Sequence, residues 1–154
     1  MSCNWPSNSL LNFGSPSLKY LSTRAPFHDG MNEETAAFAL DCVCGEPIHR
    51  NALSAISSGT AWYRGLHREA QQNIAQLFGF NFKIEGPSEL PYAYMPNGHQ
   101  AYVSMVRCPS CGQEQVVALD FYEKQPGRYI GVLQGVAPIQ PPNPSLQRTA
   151  YGGR

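Results

Sequence analysis

The sequence is poor in charge. Only 14% of its 154 residues are Asp, Glu, Lys or Arg, and the formal net charge is zero. That composition points away from a bundle of long, solvated helices. Long apolar runs are missing too. None approaches the length that spans a bilayer, and the longest near the N-terminus is Leu10-Leu11, too short for a signal-peptide core. The expectation is a cytoplasmic protein with no membrane partner. Catalytic signatures are equally scarce. There is no Ser/His/Asp arrangement, no phosphate-cradling Gly loop and no His-Glu-x-x-His helix. Asp120 and Glu123 have no readable partner, and His99 follows a turn and reads as exposed.

What the chain does have is turn formers. Its 13 prolines and 14 glycines, with 42% hydrophobic residues, read as sheet, turns and tails around one core. Residues 1–30, with six Ser and three Pro, have no sustained period and read as a flexible or non-native extension. Within it Trp5, Phe13, Tyr20 and Leu21 could dock. Met31 is the expected natural start, and 31–137 the single domain. Residues 138–154 read as a disordered Pro-rich tail. There, Pro144-Ser145-Leu146-Gln147-Arg148-Thr149-Ala150 resembles a tail found at the ends of unrelated bacterial reading frames. That resemblance implies a bacterial source and read-through.

Inside the domain, Thr35–Val43 favours a strand. Asn51–Ser58 suggests a short helical turn, and Gly59-Thr60 a break and N-cap. Trp62, Leu66, Ala70, Ile74 and Phe78 recur every four residues, which predicts one main helix over 61–78 with a core-facing stripe. Gly79 ends it. Alternation predicts strands at 81–85, 92–95, 99–106, 115–122 and 128–134, with Asn97-Gly98 as a hairpin turn. Gly131 and Gly135 mark a bulge or a close approach of another chain, with a weak edge strand as the alternative. The fold class is α+β, an antiparallel meander with one main helix.

The five cysteines fall as two close pairs plus Cys3. Close pairs and an odd count suit a reducing compartment and a metal better than a disulfide framework. Cys42-Val43-Cys44-Gly45 and Cys108-Pro109-Ser110-Cys111-Gly112 can gather four thiolates around one structural Zn²⁺. The Gly after each second Cys allows φ > 0, so the chain can curl under the sulfurs and aim N–H groups at them. The first pair is one residue shorter than the usual turn, which leaves His49 and His99 as alternative ligands. These two turns resemble a zinc ribbon, with its Cys-bearing turns facing each other at one end of a sheet. The 63 residues between Cys44 and Cys108 are a long insert for that family.

Two other readings compete for Cys108 and Cys111. A thioredoxin-like redox pair needs a helix after the motif, and Val116-Val117 read as a strand. His67-Arg68-Glu69 with Cys108-x-x-Cys111 is similar to the zinc deaminases, which implies His67 as ligand and Glu69 as proton shuttle. The chain departs from that pattern, with Arg107 where the family has Pro and His67 and Glu69 inside a helix pattern.

Residues 31–137 carry seven Lys/Arg against ten Asp/Glu, so the domain is acidic and gathers no basic cluster for phosphates. A nucleic-acid partner is therefore not expected. The function expected is a zinc-stabilised, non-enzymatic protein-binding module, with an immunity or antitoxin-like role by analogy of class. The alternatives are a zinc-dependent hydrolase or deaminase using His67 and Glu69, and a zinc ribbon associated with nucleic acid.

Overall fold

The computed structural model describes residues 12–13 and 26–140. Cys3 and the tail from residue 141 lie outside the described residues, as do Trp5, Tyr20 and Leu21. In chain order the strands and helices are β1 (Asn12–Phe13), β2 (His28–Gly30), β3 (Ala37–Asp41), β4 (Pro47–Asn51), α1 (Ala52–Arg64), α2 (Arg68–Leu77), β5 (Asn81–Glu85), β6 (Leu90–Tyr94), β7 (Tyr102–Arg107), β8 (Glu114–Gln125) and β9 (Arg128–Gln140). This is the mixed α+β architecture that the patterning predicts.

The meander β7-β8-β9 forms the main antiparallel sheet. Along its outer edge β9 also pairs with β2 at one end and β1 at the other. Two separate hairpins, β3–β4 and β5–β6, complete the strands. Both described pieces of the N-terminal thirty residues thus pair with β9. Arg128 holds Asp29 through two hydrogen bonds of 2.7 and 2.9 Å. At the other end, β9 runs six residues beyond the expected strand end at 134. The Gly135 expectation holds, because the register slips between Ala118/Leu119 and leaves Gln134 as the extra residue of a bulge. At Gly131 the close approach comes from within the chain itself and not from another chain. A Cβ there would stand 2.5 Å from the Phe27 ring.

Strand alternation gives β8 two apolar faces. Val117, Leu119 and Phe121 meet Phe38, Leu40 and Ile48 of the β3–β4 hairpin, together with Ala52 and Ala55 of α1. Val116 and Ala118 face Tyr63, Ala70, Ile74 and Phe78. Because its first turns lie in one cluster and Tyr63 in the other, α1 crosses the edge of β7 and covers it. Gly59 is the crossing point. A Cβ there would press on the Val103 carbonyl and come within 2.6 Å of the Ser104 Cβ.

The structure corrects the expectation of one continuous helix over 61–78. There are two α-helices among the described residues, and Gly59 lies inside the first instead of breaking the chain. The first begins at Asn51, whose side chain accepts from the Ser54 N–H at 2.9 Å. Between them, Gly65-Leu66-His67 forms a turn stapled by Gln71. The Gln71 amide donates to the carbonyls of Tyr63 (2.9 Å) and Leu66 (3.1 Å), and the Tyr63 hydroxyl donates to the Gln71 carbonyl at 2.7 Å. The predicted stripe still faces inward. Leu66, Ala70, Ile74 and Phe78 are buried and Trp62 is partly so. Burial alone does not say whether the helix is continuous. Gly79, at φ 76°, ends α2 as expected. No helix among the described residues is long and apolar enough to cross a membrane.

Candidate metal centre

Two hairpins build the centre. Their last cross-strand pairs are Asp41↔Pro47 and Arg107↔Glu114. Beyond these, residues 42–46 and 108–113 form the turns. In each, the first Cys N–H donates to the carbonyl of the residue after Gly, Cys42 to Glu46 and Cys108 to Gln113, both at 2.9 Å. In each, the Gly N–H returns to the first Cys carbonyl, at 2.8 Å for Gly45 and 2.9 Å for Gly112. Gly45 has φ 96° and Gly112 φ 80°, a region a side chain would strain. The missing residue in Cys42-x-Cys44 thus shortens the turn by one without changing how it closes.

The hairpins reach each other through the core beneath them and through Arg50. Its guanidinium donates to the Arg107 carbonyl and to its own neighbour His49, each at 2.8 Å. Arg107 in turn pairs with Glu114. These contacts lock strand ends next to Cys108.

All four sulfurs lie within 4.8 Å of one another. Cys42 Sγ is 3.5 Å from Cys111 Sγ, and Cys44 Sγ is 3.7 Å from Cys108 Sγ. A tetrahedron with Zn–S bonds of about 2.3 Å has S···S edges of about 3.8 Å, so the donor set fits such an ion. Cys42 and Cys108 are buried, whereas Cys44 and Cys111 are exposed. The local fields differ. Backbone N–H groups of Cys111 and Ser110 aim at the Cys108 sulfur and pull its pKa down to about 6. Burial pushes the Cys42 thiol up to about 12, against the opposing Cys44 N–H. A cation at the centre of the four sulfurs would supply the positive charge that favours the Cys42 thiolate.

The alternative ligands stand elsewhere. His49 is exposed on β4, beside Ala39 of β3. His67 is the N-cap residue of α2, without a capping side-chain bond, and Glu69 is exposed in its first turn. That helix packs on the opposite face of the sheet from Cys42 and Cys108. His99 is drawn to Asp120, with Nδ1 3.1 Å from Oδ1 and 3.2 Å from Oδ2, and its ring lies 4.4 Å from that of Tyr122. Asp120, buried on β8, therefore has the partner that the sequence did not reveal. A His more than 20 positions away, across a hairpin turn and another strand, leaves no spacing signal.

A second surface feature lies on the β5–β6 hairpin. Tyr92 and Tyr94 rings are 6.1 Å apart on its outer face. Arg64 stands 5.7 Å over Tyr92, and Lys83 5.4 Å over Tyr94. Comparison of the chain with protein families, with curated proteins and with solved structures gives no match.

Proposed function

We propose that Cys42, Cys44, Cys108 and Cys111 hold one structural Zn²⁺, and that the metal stabilises a non-enzymatic module which binds another protein. The carrying observation is the set of four thiols, all within 4.8 Å of one another. With four sulfurs bound, zinc keeps no open position for water or substrate, and that is the property of structural sites. The separation of His67 and Glu69 from the thiols supports the same reading over the deaminase-like one. The partner surface we assign is the outer face of β5–β6, because Tyr and Arg dominate binding energy at protein interfaces.

Zinc-edge X-ray absorption with metal analysis of the same sample tests the centre. The expected result is one zinc per chain with four sulfurs at about 2.3 Å. Nitrogen or oxygen in the first shell, or no bound metal, would overturn it. Glu69→Gln should leave both fold and zinc content unchanged.

A further inference from the structure

Each exposed thiol of the centre is in contact with the buried thiol of the other hairpin. Cys111, exposed on the β7–β8 turn, lies 3.5 Å from buried Cys42 of the β3–β4 turn. Cys44, exposed on the β3–β4 turn, lies 3.7 Å from buried Cys108. Redox-responsive cysteines have this arrangement, an accessible thiolate beside a resolving thiol. Here it occurs twice, crosswise.

We propose that peroxide converts the centre into two disulfides between the hairpins, Cys42–Cys111 and Cys44–Cys108, and releases the metal. The inference concerns regulation of the zinc site and rests on that reading for the released ion. The exposed thiolate attacks peroxide. An S–O bond forms, the O–O bond breaks, and the leaving hydroxide takes a proton to become water. The sulfur is oxidised by two electrons and the peroxide is reduced. The buried thiolate of the other hairpin then attacks the sulfenic sulfur. An S–S bond forms, the S–O bond breaks, and the departing hydroxide takes a second proton. Four thiolates, two peroxides and four protons thus yield two disulfides, four waters and the freed Zn²⁺.

The crosswise pairing has a consequence that pairing within a turn lacks. Bonds within Cys42-x-Cys44 or Cys108-x-x-Cys111 would close each turn on itself and release one hairpin from the other. Crosswise bonds keep the hairpins joined where the metal joined them. The oxidised, zinc-free protein then stays folded, and reduction restores the binding site.

Purified protein is treated with increasing hydrogen peroxide, and released zinc is followed with a chromogenic chelator. Remaining thiols are alkylated, and the unreduced protein is cut with trypsin for peptide mapping. Cleavage after Arg24, Arg50, Arg107 and Lys124 places Cys42 and Cys44 on one peptide and Cys108 and Cys111 on another. The expected result is these two peptides joined, with one zinc released per two peroxides consumed. Two separate peptides, each with an internal disulfide, would overturn the pairing. Cys44→Ser should leave a Cys42–Cys111 bond and an alkylated Cys108. A Cys108–Cys111 bond in that variant would also overturn it. If the purified protein holds no zinc, the metal reading fails, while the Cys44→Ser map still decides the pairing, and an alkylated Cys111 in place of Cys108 there would overturn it.

Discussion

A Cβ at Gly59 would lie 2.6 Å from the Ser104 Cβ and 2.8 Å from the Ser104 Cα. Since much of this contact is with backbone, α1 would have to lift from β7. Gly59→Ala is therefore expected to destabilise the protein by about 1–3 kcal/mol, despite better helix propensity. Denaturant midpoints check this, with exposed Ser57→Ala as the control. Gln71 makes the opposite point, because its side chain is needed. It donates to the Tyr63 carbonyl in the last turn of α1 and to the buried Leu66 carbonyl just after it. Gln71→Leu should cost about 1–3 kcal/mol by removing the donor to the Leu66 carbonyl, as equilibrium unfolding would show. Neither residue announced its role in the sequence. Gly59 reads as a helix break because Gly is a poor helix former, and nothing in the helix pattern singles out Gln71. Both roles come from tertiary contacts, which local pattern does not encode.

At the scale of elements, the legible features were those with short-range causes. The two Cys-bearing turns, the Gly positions that close them, the Asn97-Gly98 turn and the inward stripe of α2 all follow from neighbours in sequence. The packing of β3–β4 on the sheet and the crossing of α1 over β7 depend on distant partners, and the expected short turn at 51–58 gave way to half a helix. Arg50 belongs to this second group. One guanidinium on β4 ties that hairpin to the strand end beside Cys108. Arg50→Ala retains all four sulfurs but loses this tie. Its expected effect is a zinc affinity lowered about tenfold, measured by competition with a chelator of known affinity. Far-UV circular dichroism of the zinc-bound variant should match that of the parent.

For the whole molecule, the proposed metal would be one of three devices that hold the β3–β4 hairpin to the sheet. The others are Arg50 and the apolar cluster of Phe38, Leu40, Ile48, Val117 and Leu119 beneath the hairpin. Because the sheet has a second buried cluster on its far face, zinc removal should not unfold everything at once. Chelation at neutral pH is expected to raise hydrogen exchange first across 37–51, while β8 stays protected. Uniform loss of protection would mean instead that metal binding and global folding are a single event.

The span between the two halves of the clamp also sets a schedule. Cys42 and Cys44 leave the ribosome with half a site, and Cys108 and Cys111 follow more than 60 residues later. At synthesis rates of about 5–20 residues per second, the first pair waits roughly 3–13 s for the second. Throughout that interval the nascent hairpin carries two uncommitted thiols, one at its tip. If the four thiols assemble a metal centre as proposed, the first pair would be most open to oxidation in this interval, before the second pair is made.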